Sequence, residues 1–174
     1  MNDHLRIHRK FVIPLGIFSG LILGIIARAW MRWISTDPEF TWSGTFFIVL
    51  AFVIFGAVHS LVFFAREGGW SSGRVNLIRI ASIFLSLPLF VAAGSAMFPT
   101  VLTGSLARWR TDWWIWLRWI LAGCSVIIPI FIIRDIGNDF GWGIATFGRV
   151  LLFIAIYSVV ISAIRSAVSP IARV

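Results

Sequence analysis

Hydrophobic residues along this chain fall into five long segments, and the charged residues lie almost entirely between those segments. A helix needs about 20 residues to cross the roughly 30 Å hydrocarbon core of a bilayer. Every segment is long enough, so the pattern predicts an all-α integral membrane bundle of about five transmembrane helices, built as one domain over residues 1–174. The predicted helices cover residues 11–33, 44–65, 77–98, 113–135 and 146–166.

Small residues recur at intervals of four within three of these helices. Residues four apart lie on the same face of a helix, and glycine or serine on that face lets another helix backbone approach closely in lipid. The spacing therefore predicts helix-packing faces on the first, second and last helices. Their residues are Gly16, Gly20 and Gly24, then Gly56 and Ser60, and finally Ser158, Ser162 and Ser166.

The connection between the first two helices combines arginine, tryptophan and acidic residues more densely than any other stretch. Arg28 and Arg32 continue the glycine face of the first helix. Asp37 and Glu39 stand where a second helix begins, and its dipole favours acidic residues there. We expect these four charges and Trp42 to form a polar site. Ion pairing at the helix ends is the simpler interpretation, and recognition of a lipid headgroup or a partner subunit by the arginines is the alternative.

The composition supports lipid as the solvent of these helices. Hydrophobic residues make up 59% of the 174 residues and charged residues 13%, whereas soluble domains are about 45 to 50% apolar. The net charge of +8 comes almost entirely from arginine near the segment ends. A nucleic-acid binder would concentrate its basic residues on one solvated face or arm. We therefore expect anionic lipid headgroups as the counter-ions and no nucleic-acid partner.

Ionisable chemistry inside the predicted helices is scarce. His59 is the only histidine within a span, Tyr157 is the only tyrosine of the chain, and all seven acidic residues lie near predicted helix ends. Ion-coupled transport commonly depends on a charged group at membrane depth. One histidine cannot supply two haem ligands, and Cys124 is the only cysteine, so we expect no metal centre and no cofactor. The sequence also has no hydrolase or metalloprotease motif, which argues against an enzyme.

Abundant packing residues and scarce ionisable groups favour a non-catalytic membrane protein that acts by helix contact, either as a homo-oligomer or as an accessory subunit of a membrane complex. A small-solute transporter or channel is the alternative, with a polar path along Ser158, Ser162, Tyr157 and His59. A pigment- or haem-binding subunit is a weaker alternative. The tryptophans that would stack on such a ligand are more typical of the membrane interface.

The distribution of basic residues hardly distinguishes the two sides of the membrane. Five spans place the chain termini on opposite sides, and the 15 basic residues then divide eight to seven. The three basic residues ahead of the first helix favour a cytoplasmic amino terminus, because the first helix commonly dominates orientation. We therefore expect residence in a bacterial cytoplasmic, or plasma, membrane with the amino terminus inside the cell and the carboxyl terminus outside.

Overall fold

The computed structural model describes residues 3–36, 40–92 and 97–170, together with the side chains in these ranges except those of residues 3–10 and 92. All regular secondary structure within these ranges is helical, which confirms the predicted all-α class. The helices are α1 Asp3–Trp33, α2 Trp42–Glu67, α3 Ser72–Leu85, α4 Leu87–Ala92, α5 Met97–Trp109, α6 Ile115–Phe140, α7 Ile144–Ala163 and α8 Arg165–Val168.

Five stretches of the chain are long and apolar enough to cross a membrane, as the hydrophobic pattern predicted. Large hydrophobic side chains cover their outer surfaces, and Phe18, Ile130 and Leu151 are each more than half exposed. Contiguous apolar surface of this kind suits contact with lipid and not with water. The chain is therefore an integral membrane protein. Its spans are Phe11–Trp33, Trp42–Glu67, Ser72–Val91, Ile115–Phe140 and Ile144–Val168.

Helices α1 and α2 form a tightly packed antiparallel hairpin. A Cβ atom added to Gly20 would collide with the carbonyl oxygen of Phe52, and one added to Gly56 would collide with the carbonyl oxygen of Gly16. Only a hydrogen atom fits at these positions, so the glycines let backbone touch backbone. This close van der Waals contact stabilises the hairpin in lipid, where no hydrophobic effect draws two helices together.

The bundle has two ends, and both limits of the described chain lie at the same one. We call the end at which α1 begins and α2 finishes the terminal end, and the other the far end. Arg66, in the last turn of α2, donates hydrogen bonds to the carbonyl oxygens of Ser166 (3.2 Å) and Pro170 (3.3 Å). Helix α8 therefore also lies at the terminal end. Residues 3 and 170 share one end of the bundle, whereas five spans had predicted opposite ends.

Helix α5 accounts for this difference, because it occupies a segment that the hydrophobic pattern left mainly as a connection. Met97, at its start, packs beside the far-end cluster that contains Trp30. Trp109, at its end, lies with its ring centroid 4.4 Å from the guanidinium of Arg165 at the terminal end. Its 13 residues extend roughly 20 Å at about 1.5 Å per residue. Helix α5 thus returns across the apolar layer without having the length of a full span.

Arginines from neighbouring helices hold two further helix ends. Arg149 Nε donates to the carbonyl oxygen of Trp33 at 3.0 Å, and Arg118 Nε donates to that of Ala107 at 3.1 Å. The last carbonyls of a helix lack intrahelical partners and carry the negative end of its dipole. A guanidinium donates the missing hydrogen bond and supplies the opposite charge. These contacts attach α7 to the end of α1 and α6 to the end of α5.

Candidate functional site

An apolar cavity of about 330 Å³, partly open to the outside of the bundle, lies where α1, α2 and α4 face α5, α6 and α7. Buried side chains form much of its wall, and Ala27, Phe52 and Val101 are each no more than 3% exposed. The cavity is displaced toward the far end, where Trp30 and Phe153 stack with ring centroids 5.3 Å apart. The two halves of the bundle therefore meet here without filling the space between them.

The two hydrogen-bonding side chains in the cavity wall are already paired. Tyr157 Oη donates to the carbonyl oxygen of Ser125 at 2.6 Å and lies 3.4 Å from that of Thr100. Trp30 Nε1 donates to the carbonyl oxygen of Arg149 at 2.9 Å. A molecule in the cavity would thus meet hydrocarbon and aromatic surface, so this site suits an apolar molecule held by dispersion contacts.

A second opening is a groove of about 690 Å³ between the α1–α2 hairpin and the α7–α8 segment. Arg66, Glu67 and Arg165 line it at the terminal end, whereas Leu23 and Phe55 line it deeper in the bundle. The groove therefore changes from charged to apolar along its length. No such gradient exists in the apolar cavity.

His59 lies beside this groove and is 4% exposed. Its Nδ1 is 2.8 Å from the carbonyl oxygen of Phe55. A carbonyl oxygen only accepts, so Nδ1 carries the proton of the neutral ring and Nε2 is left as an acceptor. Nε2 is buried and has no hydrogen-bond partner among the described residues. Within those same residues, no group of three or more histidine, cysteine, aspartate or glutamate side chains is placed to hold a metal ion.

The predicted packing residues of α1 and α2 meet each other. A Cβ added to Gly16 would collide with Ser60, and one added to Gly24 would lie 3.0 Å from Val49 Cα. The Ser60 hydroxyl itself donates to the carbonyl oxygen of Ala57 at 2.8 Å. The partner of the glycine face is therefore α2 of the same chain.

The predicted serine face of the last helix is divided by the turn at Ile164 between α7 and α8. Ser158 and Ser162 are exposed on α7. Ser166 lies in α8 and is buried, and its hydroxyl donates to the carbonyl oxygen of His59 at 3.0 Å. The three serines therefore do not share one packing surface within the chain.

Two arginines of the predicted polar site contact neutral groups. Arg28 Nε donates to Thr45 Oγ1 at 3.1 Å, and the Arg32 guanidinium lies 5.1 Å from the centroid of the Phe40 ring. Trp42 is 79% exposed and packs edge to face against Phe40. Asp37 and Glu39 lie outside the described residues. Ion pairing at this site therefore stays a prediction.

Arginines that are far apart in the sequence meet around α8, and the hydrophobic pattern did not predict this. Arg79 Nη2 donates to the carbonyl oxygen of Ser169 at 2.6 Å, close to the bonds that Arg66 makes with the same segment. Five spans would place Arg66 and Arg79 on one side of the membrane and Arg165 on the other. The early proline in α5, Pro99, and the apolar spacing of Val101, Leu102 and Leu106 are the signals that could have revealed the return helix.

The loop between α5 and α6 contains the one ion pair found within the described parts of the chain. Arg110 Nε and Nη2 donate to the two carboxylate oxygens of Asp112 at 2.9 and 2.6 Å. The hydrogen bonding by Arg110 holds the pKa of the Asp112 carboxyl below its usual range. The pair closes an exposed loop and takes no part in the cavity or the groove.

A scan against protein-family models, a search of curated proteins and a search of solved structures each give no match.

Proposed function

We propose that this chain is a non-catalytic membrane protein that holds an apolar molecule, of the class of a lipid chain or another hydrocarbon, inside its bundle. The observation that supports the proposal is the apolar cavity of about 330 Å³. An apolar cavity of roughly 150 Å³ is enough to bind benzene. Space left open in a membrane bundle forfeits the packing that stabilises it, and an apolar molecule would restore those contacts.

The chemistry of the wall supports binding in preference to catalysis. The Tyr157 hydroxyl and the Trp30 indole both donate to backbone carbonyls, so neither proton is free for a bound molecule. A polar solute would have to lose its water against this wall without gaining hydrogen bonds in return. The transporter and haem-subunit alternatives therefore gain no support from the cavity.

The cavity proposal is tested by a substitution that places a larger side chain in the cavity. Val101 lines the cavity and is 1% exposed, whereas Val126 on α6 is 47% exposed and faces away from it. Apolar molecules that co-purify with each variant in mild detergent would be extracted and quantified by mass spectrometry. We expect the wild type and Val126→Phe to retain one apolar molecule per chain. The amount retained by Val101→Phe should be at least about tenfold lower. Equal retention by both variants would contradict the proposal.

Contact with another membrane subunit, or with a second copy of the chain, is a second candidate function. The glycine face of α1 is occupied by α2, so a partner would have to use an outward face. Gly123, Cys124 and Ser158 are exposed on α6 and α7, and small residues are favoured where helices pack in lipid. Mass photometry of the purified protein, with Gly123→Trp as the disrupting variant, tests this candidate, and a monomer without partners would contradict it.

We also propose that the terminal end faces the cytoplasm of a bacterial cell, with the protein in the plasma membrane. Once α5 is counted as a return pass, ten basic residues of the described ranges belong to the terminal end and four to the far end. Basic residues are enriched on the cytoplasmic side of membrane proteins. The ten are Arg6, Arg9, Lys10, Arg66, Arg74, Arg79, Arg108, Arg110, Arg118 and Arg165, and the four are Arg28, Arg32, Arg134 and Arg149.

Labelling in intact cells tests this orientation. In a Cys124→Ser background, Trp70→Cys introduces a thiol in the terminal-end loop and Gly143→Cys introduces one in the far-end loop. A membrane-impermeant maleimide should label Gly143→Cys directly and Trp70→Cys only after the membrane is permeabilised. The reverse pattern would contradict the proposed orientation.

A further inference from the structure

The groove between the hairpin and the α7–α8 segment has the polarity of a lipid molecule. Its deep part is lined by apolar side chains that include Leu15, Leu23 and Val159. Its terminal-end part is lined by Arg66 and Arg165. A phospholipid likewise has an acyl chain on one side of a charged phosphate, and it would enter such a groove in only one direction.

We propose that this groove binds one anionic membrane phospholipid, with its phosphate against Arg66 and Arg165 and one acyl chain along Leu15, Leu23 and Val159. The site is separate from the apolar cavity, so the two proposals can fail independently. A guanidinium matches the geometry of phosphate oxygens and forms short charge-assisted hydrogen bonds with them.

The charges at the terminal end of the groove support an anionic occupant. Three guanidinium groups, those of Arg66, Arg79 and Arg165, lie around α8, and Glu67 is the single carboxylate that lines the groove. None of these four groups forms an ion pair with another described residue. Positive charge is therefore in excess, and the anionic headgroups of the membrane are the nearest source of compensation.

A buried polar atom in the groove wall adds independent support for a missing partner. His59 lines the groove and is 4% exposed. Its Nε2 has no hydrogen-bond partner among the described residues. A buried polar atom without a partner is costly. A hydroxyl of the lipid or a water molecule beside His59 Nε2 would relieve that cost.

A second copy of the chain fits the same groove less well. A symmetric pair would bring the terminal end of one copy against the terminal end of the other. Arg66 and Arg165 would then face like charges, which disfavours association. A lipid phosphate supplies the opposite charge without that repulsion.

Two arginines allow a matched test of the headgroup contact. The guanidinium of Arg165 lies 4.4 Å from the centroid of the Trp109 ring, and that of Arg108 lies 5.2 Å from the same ring. Only Arg165 lines the groove. Arg165→Gln and Arg108→Gln therefore remove the same charge at the same end of the bundle, and only the first removes a proposed ligand of the phosphate.

Two serines allow a matched test of the acyl-chain contact. Ser162 and Ser158 are both exposed on α7, one turn apart, and only Ser162 lines the groove. Ser162→Trp should block the groove, whereas Ser158→Trp places the same bulk on the outer surface. Because both positions are exposed, the folding of the bundle should tolerate both changes.

The experiment is a titration of the detergent-purified full chain with phosphatidylglycerol, read by native mass spectrometry, with phosphatidylcholine and inorganic phosphate as comparison ligands. We expect one phosphatidylglycerol per chain and an affinity about tenfold weaker for Arg165→Gln and Ser162→Trp. Arg108→Gln and Ser158→Trp should bind like the wild type.

Three results would overturn the proposal. Equal losses in Arg165→Gln and Arg108→Gln would indicate non-specific attraction by net charge. Binding of inorganic phosphate as tight as that of phosphatidylglycerol would indicate that the site takes a free anion and not a lipid. A dimeric wild type that Ser162→Trp converts to a monomer would indicate that a second copy occupies the groove.

Discussion

The contact inside the α1–α2 hairpin and the contact between that hairpin and α7 are built from different side chains, and they leave different amounts of space. Gly20 and Gly56 bring the two hairpin backbones into direct contact. Between the hairpin and α7, larger side chains such as Phe52 and Phe153 surround a cavity of about 330 Å³. Association in lipid depends on close packing, so the hairpin is the more tightly packed of the two contacts, and the looser contact is where a ligand would add stability.

The largest effect should come from opening the hairpin. Gly20→Leu forces a side chain into the Phe52 carbonyl, and we expect a loss of about 3 kcal/mol or more of stability, or no folded protein at all. Gly123→Leu is the control, because nothing lies within 4 Å of a Cβ at that position. Thermal unfolding in detergent measures both variants. Similar unfolding temperatures for the two would show that the glycine contact is not what stabilises the hairpin.

A smaller effect should follow from releasing the end of α1 from α7. Arg149→Gln removes the bond from Arg149 Nε to the Trp33 carbonyl and the guanidinium that lies 3.9 Å from the Phe140 ring centroid. We expect a loss of about 1 to 2 kcal/mol in thermal unfolding. Arg134→Gln removes an exposed arginine on α6 and should cost less than about 0.5 kcal/mol. A cost for Arg134→Gln equal to that for Arg149→Gln would contradict the role of this contact.

The smallest effect concerns the exposed loop that joins α5 to α6. The folded pKa of Asp112 is below its ordinary value of 3.8 because Arg110 hydrogen-bonds the carboxylate. The pair therefore contributes its stability above pH 3.8, and that contribution is lost as the pH falls through the lower folded pKa. Unfolding temperatures of wild type and Asp112→Asn should differ slightly at pH 6 and converge as the pH falls below 3.8. A difference that does not change with pH would contradict the ion pair.

Hydrophobic patterning was sufficient to locate the five long apolar stretches, although the third, predicted as one helix over 77–98, begins at Ser72 and is divided at Ser86. Their apolar runs exceed the length of a bilayer crossing, and lipid leaves few other structures for such a run. The four-residue spacing of Gly16, Gly20 and Gly24 likewise indicated a packing face, although its partner, α2 of the same chain, comes from the structure.

Helix α5 was harder to predict for two physical reasons. Its 13 residues are shorter than a membrane crossing, and Thr100, Gly104 and Ser105 interrupt its apolar character. These small and polar residues suit the interior, where Ser105 Oγ donates to the carbonyl oxygen of Ile161 at 3.2 Å. In a hydropathy pattern, such residues indicate a connection between helices, although in the fold they pack against another helix.

The cavity and the groove could not be predicted without α5. Their walls combine residues from helices that are far apart in the chain, such as Ala27 with Val101 and Arg66 with Arg165. With five spans, Arg66 and Arg165 belong to opposite sides of the membrane. One short return helix therefore decides both the orientation and the candidate sites.

The position of the two chain termini tests this return helix most directly. Fluorescent-protein and alkaline-phosphatase reporters fused in turn to each end of the full chain would show which side of the membrane each end occupies. The fold predicts that both ends lie on the same side, and the charge distribution predicts that this side is the cytoplasm. Termini on opposite sides would contradict the return of α5 and, with it, both the cavity and the groove.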